Sequence, residues 1–412
     1  MRYICLLAFL LFSCGAFAQA DTIIHPVTES VVLPTTDDSH LRISILTCGV
    51  GDELYSSFGH SGVRVIDSVR HTDEVYNYGT FTFDDSFYKK FMLGKLWYYL
   101  DKSAFNDFMY TYVEEKRNVQ EQVLKLSAPH KMAMVAFLET NLKPENKQYR
   151  YDYFYDNCAT RVRDILPRVM GKEFYFGEIL KGKKISYRSI MNQYLTDKHW
   201  QRFGMNLLMG SPIDSIMTDD GSMFLPDFIH QGLVHAKYRG EHVVESDVTI
   251  LSHKHIFNTK IDGPLCMMIV LLVLTALSYL VKKLHKLKVV LRFILLFSTG
   301  LLGLIILFMW LGTDHTACTG NYNILWAIPF NIVVAFAVHK KRFWLKVYAL
   351  AAISLLIVAL IIHAIGIQQF PLFELAPLLL CMMYVYVDLY KSNVHVQPSV
   401  QAQPQNEPTI PS

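Results

Sequence analysis

The stretch FGHSGVRVIDSVRHTDEVYNYGTFTF, residues 58–83, decides the fold of the N-terminal half of the chain. Side-chain alternation from His60 to Asp67 predicts a β-strand, because successive residues of a strand point to opposite faces of its sheet. Residues 68–73 favour a turn, and residues 74–83 predict a second strand, antiparallel to the first. The pattern is that of a β-hairpin with a histidine at its mouth.

The second strand of this hairpin carries an amide between two aromatic residues. Asn77 lies between Tyr76 and Tyr78, so alternation predicts that its side chain shares a face with Val75 and Gly79. On that register Asn77 is a candidate partner for the histidine of the first strand. Tyr76 and Tyr78 are the alternatives for this role.

A cysteine begins a predicted helix later in the chain. In YDYFYDNCATRVRDIL, residues 151–166, Asp156 and Asn157 are favourable N-cap residues, and the helical period that starts at Cys158 ends at Pro167. The cysteine therefore lies in the first helical turn. The positive end of the helix dipole favours a thiolate there, and a nearby imidazole would favour it further.

These three residues have the chemistry of a cysteine-nucleophile triad. Cys158 would attack a carbonyl carbon, His60 would transfer protons, and Asn77 would hold the imidazole ring in orientation. The developing oxyanion would lie near the backbone N–H of the cysteine. Taken singly, each residue is more often structural, and a disulfide between Cys48 and Cys158 is the alternative in an oxidising compartment.

Three further residues are candidates for substrate binding. Tyr76 and Tyr78 flank the predicted orienting residue, and Arg161 lies one turn beyond the nucleophile, where it could bind a phosphate head group. The alternative for Arg161 is a solvated helix face or an ion pair with Asp156 or Asp164. No cofactor, metal-ligand cluster, phosphate loop or nucleic-acid patch is expected, and the net charge of +3 indicates no particular partner.

The two ends of the chain have the composition of a targeting segment and a tail. Residues 1–20 combine one arginine, a short apolar run and small residues, which is typical of a secretory signal peptide cleaved after Ala18 or Ala20. Residues 21–262 predict a soluble exported domain. The Pro/Gln-rich residues 391–412 predict a disordered cytoplasmic tail.

Residues 263–390 predict a membrane domain with five spanning helices. The apolar runs lie near 265–281, 289–311, 324–338, 347–365 and 372–387. Basic loops at 282–288 and 339–346 should face the cytoplasm, whereas the loops at 313–323 and 366–371 carry no Lys or Arg and should face outside. The exported domain then lies outside as well, in agreement with the signal peptide.

Two aromatic sets in the exported domain have two interpretations. FYKKF, residues 87–91, and KLWYYL, residues 95–100, could form a membrane-facing belt, or they could pack in the core, which is the commoner fate of such residues.

The order of the motifs, with the histidine before the cysteine, is the reverse of that in ordinary papain-like enzymes. It resembles the permuted branch of the NlpC/P60 superfamily, which includes the lecithin:retinol acyltransferase type. HSGVRV at 60–65, EVYN at 74–77 and NC at 157–158 carry this resemblance. Asn77 stands where that branch usually has a histidine, and the turn is longer. The resemblance implies an α+β, permuted papain-like (NlpC/P60-like) exported domain, and the apolar runs predict that an all-α five-helix transmembrane domain follows it.

A more specific resemblance covers nearly all of residues 40–235. It is to the DUF4105 domain, also called the Lnb N-terminal periplasmic domain. The segments that carry it are FGHSGVRV, VYNYGTFTF, FYKKFMLGKLWYYL, YDYFYDNCATRVRDIL and MFLPDF. The membrane half, with GNYNILWAIPFN at 320–331, is similar to that of full-length Lnb-type lipoprotein N-acyltransferases.

This second resemblance implies an activity. The enzyme would transfer an acyl chain from a membrane phospholipid, through a thioester on Cys158, to the N-terminal amine of a diacylglyceryl-cysteine apolipoprotein. It would be a multi-pass protein of the inner membrane with its catalytic domain in the periplasm. The alternatives are a membrane-anchored papain-like hydrolase of peptidoglycan or lipids, and a non-catalytic sensor or assembly protein.

Overall fold

The structure, a computed structural model, describes residues 40–82, 84–253 and 261–397. The predicted signal peptide, the predicted strand end at Phe83 and the tail from residue 398 lie outside the described residues.

A seven-stranded antiparallel sheet organises the N-terminal domain. The strands of the domain are β1 (Leu41–Cys48), β2 (His60–Asp67), β3 (Thr72–Phe81), β4 (Trp97–Ala104), β5 (Val119–Leu124), β6 (Gln148–Arg150), β7 (Phe174–Tyr175), β8 (Lys237–Tyr238), β9 (Glu241–His242) and β10 (Val244–Leu251). The strand order of the large sheet is β10-β5-β1-β2-β3-β4-β6, and β7, β8 and β9 form a separate small sheet.

The predicted hairpin is the pair β2 and β3 at the centre of this sheet. The two strands are antiparallel, with Val63 opposite Tyr76 and Asp67 opposite Thr72. The second strand begins two residues earlier than predicted, because Thr72 and Asp73 extend the ladder into the expected turn.

Eight α-helices of the described residues accompany the sheet in this domain. They are α1 (Phe87–Met92), α2 (Phe105–Glu114), α3 (Ala128–Leu142), α4 (Cys158–Met170), α5 (Tyr187–Tyr194), α6 (His199–Leu208), α7 (Asp219–Ser222) and α8 (Pro226–Val234).

Alternation along the strands gives the sheet two apolar faces, each covered by helices. Val63 and Val65 of β2 share a core with Met134 of α3 and Val162 of α4. On the opposite face of the sheet, α2 packs against apolar side chains of β1, β3 and β5. That second core comprises Leu46, Cys48, Val75, Phe105, Phe108, Met109, Tyr112 and Val119. Each large side chain that is fully buried contributes about 1.5–3 kcal/mol of hydrophobic stabilisation.

Helix α4 begins at Cys158, as the sequence predicts, but it does not end at Pro167. It continues to Met170. Proline in a helix interior costs a backbone hydrogen bond. Leu166 and Met170 are buried against the sheet, and this burial holds the last turn in place despite the proline.

The C-terminal half is a helical region with four helices that are long and apolar enough to cross a membrane, among the residues that the structure describes. They are α9 (Gly263–Leu280), α10 (His285–Leu311), α12 (Phe343–Ala364) and α13 (Leu372–Asn393), and a short helix, α11 (Asn331–Ala337), lies between α10 and α12.

The third predicted span, residues 324–338, is not a continuous helix, so the prediction of five spanning helices is not confirmed. A 3-10 helix over Tyr322–Leu325 is followed by irregular backbone and then by α11. The break is buried in protein: Trp326 and Ala327 are fully enclosed. Irregular backbone at membrane depth is tolerated only in such an enclosure, and hydropathy alone does not reveal the enclosure.

The N-terminal domain is docked on the helical region through buried polar contacts. The Asn321 side chain donates to the carbonyl oxygens of Leu207 and Leu208, both at 2.9 Å. Arg202 of α6 forms a 2.8 Å ion pair with Glu374 at the start of α13. Several hydrogen bonds to buried groups thus fix the two parts relative to each other.

The loops of the helical region separate by charge, as predicted. The loop after α10 contacts the N-terminal domain, whereas the basic residues Lys288 and Arg292 bind Asp388 near the far end of α13. Glu374, near the start of α13, contacts the N-terminal domain, whereas Arg342 of the second basic loop donates its backbone N–H to Asn393 at the end of α13, so both basic loops lie at the opposite end of the bundle. This arrangement agrees with the predicted orientation.

Candidate active site

The imidazole of His60 is held by Asn77 on the neighbouring strand. Its Nε2 lies 2.7 Å from Oδ1 of Asn77. The same oxygen accepts the backbone N–H of Gly79 at 2.8 Å, which identifies it as the acceptor. His60 must therefore carry a proton on Nε2, so that Nδ1 is the nitrogen left to face a nucleophile.

Gly79 gives the imidazole the space it occupies. A Cβ on Gly79 would lie 2.3 Å from Cε1 of His60, which is far inside van der Waals contact. Position 79 follows Asn77 by two residues, so both belong to the same face of β3. One face of β3 thus supplies both the Asn77 side chain, which orients the imidazole ring, and the space over Gly79, which the ring occupies.

Helix α4 is anchored by a strong cap directly before Cys158. The Asn157 side chain accepts the backbone N–H groups of Ala159 and Thr160 at 2.8 and 2.9 Å, and its amide donates to the carbonyl oxygen of Phe224 at 2.9 Å. Such a cap contributes about 1 kcal/mol. It also fixes the nucleophile candidate at the positive end of the helix.

Cys158 and His60 line the same cleft, and the His60 side chain and the backbone N–H groups of Ser61 and Ala159 are the groups near the thiol that favour its ionised form. Although burial opposes ionisation, the charge and hydrogen bond of His60 and the two backbone donors bring the pKa of Cys158 below its ordinary value. Burial likewise opposes protonation of His60, but the thiolate and Asn77 raise the pKa of His60 above its ordinary value. The two shifts together favour a thiolate–imidazolium pair.

A cleft of about 520 Å³ opens onto this pair. Its size is within the usual range for small-molecule sites, and nine of its 24 lining residues are aromatic. The aromatic side chains of the lining are Tyr55, Phe58, Phe81, Tyr98, Phe108, Tyr112, Tyr151, Tyr153 and Phe224. The cleft can therefore receive a largely apolar group at the sulfur.

The second cysteine of the domain plays a different part. Cys48 pairs with His60 across β1 and β2, but it is free and fully buried, and Cys158 is also free. Burial raises the pKa of the Cys48 thiol to about 12, despite a hydrogen bond from Tyr112. The disulfide alternative is thus absent from this structure, and Cys48 is a neutral core residue.

The two tyrosines predicted to bind substrate face away from the cleft. Tyr76 and Tyr78 are almost fully buried in the sheet core. The Tyr76 hydroxyl donates to Glu139 at 2.5 Å, and the Tyr78 hydroxyl accepts from Asn141 at 2.8 Å. They alternate with Asn77, so the same register that brings Asn77 to His60 turns both tyrosines to the other face. Their positions do not support substrate contact.

Arg161, the third residue predicted to bind substrate, is also outside the cleft lining. Its guanidinium forms two hydrogen bonds with Asp156, at 2.5 and 2.6 Å, and lies 4.3 Å from the centre of the Tyr149 ring. The ion pair was the sequence-based alternative. The observed geometry favours the ion pair as the role of this guanidinium.

One residue of the site, Arg117, is not predicted by the sequence. Arg117 lines the cleft, where its Nε donates to the carbonyl oxygen of Gly49 at 2.9 Å and its guanidinium lies over the Tyr112 ring. No local motif indicates the contact with Gly49, because this residue follows β1 whereas Arg117 lies in the loop between α2 and β5, 68 residues later. Within the described residues, no group of three or more His, Cys, Asp or Glu side chains could hold a metal ion.

Comparison with protein families finds two matches. Residues 28–193 match the Lnb N-terminal periplasmic domain, and residues 257–394 match the Lnb transmembrane domain. Comparison with curated proteins and with solved structures gives no match. Together with the antiparallel sheet domain and the four apolar helices, the two family matches support an Lnb-type family for this chain, a multi-pass membrane protein with a periplasmic N-terminal domain.

Proposed function

We propose that this protein is a membrane-bound lipoprotein N-acyltransferase of the inner membrane, with a permuted papain-like periplasmic domain. The observation that carries the proposal is the placement of Cys158 and His60, the latter oriented by Asn77, in one cleft of a domain docked on spanning helices. A nucleophile tethered in this way meets membrane lipids without a soluble carrier.

The first step loads the enzyme. The Cys158 thiolate attacks the ester carbonyl carbon of a phospholipid, and the tetrahedral oxyanion forms near the backbone N–H of Cys158. The carbon–oxygen bond to the glycerol then breaks, and the His60 imidazolium gives its proton to the departing lysophospholipid oxygen. The acyl chain remains on the sulfur as a thioester.

The second step transfers the chain to the acceptor. The neutral amine of a diacylglyceryl-cysteine apolipoprotein attacks the thioester carbonyl, and His60 takes the proton that the nitrogen loses. The carbon–sulfur bond breaks and restores the thiolate–imidazolium pair. One ester and one amine have become one amide and one alcohol, so no cofactor is required. Amines attack thioesters faster than oxygen esters, which makes a cysteine nucleophile suited to this exchange.

The aromatic side chains of the cleft would protect the thioester from hydrolysis. An acyl chain in the cleft would exclude solvent from the carbonyl group until the amine arrives. The same triad with free access of water would instead support a hydrolase, the alternative function, so the acceptor rather than the nucleophile distinguishes the two.

The decisive experiment is mass spectrometry of a native lipoprotein's N-terminal peptide, from cells in which this chain is the sole N-acylating enzyme. We expect three acyl chains with the wild type and two with Cys158→Ala. Cys48→Ala is the matched control, because Cys48 is a neutral buried cysteine of the same domain, and it should give three chains.

Two chains in every strain would overturn the transferase proposal. Hydrolysis of peptidoglycan fragments and of lipid esters by the wild type, lost in Cys158→Ala, would then establish the hydrolase.

A further inference from the structure

Helix α1 presents an apolar face to its surroundings. Tyr88, Phe91 and Met92 are 68%, 56% and 53% exposed, and their spacing of three and four residues puts them on one side of the helix. We call these three residues the α1 face. Lys89 is exposed beside them. Adjoining exposed apolar side chains of this size mark a surface that meets a partner or a membrane.

The α1 face lies beside the point at which a spanning helix leaves the bundle. Helix α10 ends at Leu311, and Asp314 donates its backbone N–H to the carbonyl oxygen of Leu93 at 2.9 Å. His315 contacts the carbonyl oxygen of Phe91 through Nε2, also at 2.9 Å. The end of a spanning helix lies at the bilayer surface, so these contacts place α1 at that level.

A close approach of backbone reinforces this position. A Cβ on Gly94, directly after α1, would lie 3.0 Å from the carbonyl carbon of Asp314, and the Asp314 carboxylate pairs with Arg150 of β6. The α1 segment is thus held against the loop that follows α10.

Stacked aromatic rings connect α1 to the nucleophile's cleft. Phe87 of α1 stacks on Phe81 with ring centres 5.3 Å apart, Phe81 lies 5.2 Å from Tyr98, and Tyr98 stacks on Tyr151 at 4.2 Å. Phe81, Tyr98 and Tyr151 all line the cleft with Cys158. An apolar surface therefore continues from the α1 segment to the sulfur.

We propose that the α1 face inserts into the periplasmic leaflet of the bilayer and sets the mouth of the Cys158 cleft against phospholipid acyl chains. Aromatic and methionine side chains suit the interfacial region, and Lys89 suits the lipid phosphates. The use of these lipids as acyl donors rests on the proposed function, whereas the insertion does not.

Photo-crosslinking tests the insertion. A photoreactive phenylalanine analogue is placed at position 91 or at position 69, and the full-length protein is illuminated in vesicles of phosphatidylethanolamine and phosphatidylglycerol. Val69 is 70% exposed in the turn between β2 and β3, at the end of the hairpin away from His60, and is the matched control. We expect phospholipid adducts at position 91 and none at position 69. No lipid adduct at position 91, a protein adduct in its place, or equal yields at both positions would overturn the proposal.

A kinetic ratio tests the delivery of lipid. Formation of acyl-Cys158 is measured with vesicle phospholipid and with a soluble short-chain ester. The double variant Phe91→Ser, Met92→Ser should lower the ratio of the two rates at least about tenfold, because large apolar side chains no longer hold the mouth in the bilayer. Val69→Ser should leave the ratio unchanged. An unchanged ratio in the double variant would refute the proposal that the α1 face brings phospholipid to the cleft. Absence of any acyl-Cys158 in the wild type would refute the proposed function and leave the cross-linking result intact.

Discussion

Oδ1 of Asn77 lies 2.7 Å from Nε2 of His60, and this contact determines which ring nitrogen is left for Cys158. Without it the imidazole could rotate or change its tautomer, and the proton that the leaving group needs would be on the wrong side of the ring. Asn77 is therefore a positioning residue whose effect is exerted through His60.

Replacing this amide should slow the chemical step. We expect Asn77→Ala to reduce the single-turnover rate of Cys158 acylation about 100-fold, in line with the loss of an oriented general acid–base. The pH profile should change with it, because the hydrogen bond that His60 donates to Asn77 contributes to the raised pKa of His60. Asn77→Gln keeps the amide but lengthens its reach, and it should recover part of the rate. A full rate in Asn77→Ala would contradict the assignment.

The pH dependence of Cys158 reactivity reports on the ion pair. Since the pKa of Cys158 is lowered, chiefly by the charge of His60 acting against burial, the wild type should retain its thiolate at pH values where an ordinary cysteine is protonated. Reactivity should fall only as the pH drops through this lowered pKa. In His60→Ala, burial still raises the pKa of Cys158, but the charge that lowers it is gone. The ionisation of Cys158 should therefore occur at higher pH. Iodoacetamide alkylation of the Cys158 peptide, followed by mass spectrometry, measures both curves. Coincident curves would exclude the pair.

A side chain at position 79 should displace the His60 ring, because the ring occupies the space over Gly79. In Gly79→Ala the new methyl group would lie 2.3 Å from Cε1 of His60, so the ring must leave its position. We expect about a 100-fold loss of acylation rate, similar to the loss of the positioned base. Gly204→Ala is the control: this glycine lies in α6, and a Cβ there would meet nothing within 4 Å. That variant should keep its rate and gain up to about 1 kcal/mol of stability from helix propensity. Equal effects of the two variants would argue against steric displacement of His60.

The docking of the N-terminal domain depends on a buried ion pair. Arg188 and Asp214 are 2% and 4% exposed and 2.9 Å apart, and Asp214 also accepts the backbone N–H of Gln369 in the loop before α13. Asp214→Ala should lower the free energy of unfolding by about 3 kcal/mol, because it leaves a buried guanidinium without its counter-charge. Glu173→Ala removes the partner of the exposed Arg239 and should leave the melting temperature unchanged. Thermal unfolding of the full chain in detergent compares the two. A small shift in Asp214→Ala would show that the carbonyl groups around Arg188 satisfy it unaided.

The sequence by itself determined the elements whose signals are local. Side-chain alternation predicted the β2–β3 hairpin and the face of Asn77, because strand geometry has a fixed period of two. Capping chemistry predicted that a helix starts at Cys158, and continuous apolar runs indicated the long helices of the membrane domain. The distribution of basic residues predicted which loops lie away from the N-terminal domain.

Tertiary structure decided what depends on partners distant in the chain. Only packing on the sheet carries α4 past Pro167, and only enclosure by neighbouring helices permits the irregular backbone around Trp326. Asp156 engages Arg161, which the sequence left open between two roles. Tertiary structure also decided that the α1 face is exposed, since the sequence FYKKF was compatible with packing in the core or with a membrane surface. The physical reason is the same in each case: hydropathy and periodicity measure what a residue prefers, whereas its neighbours in space determine which preference is satisfied.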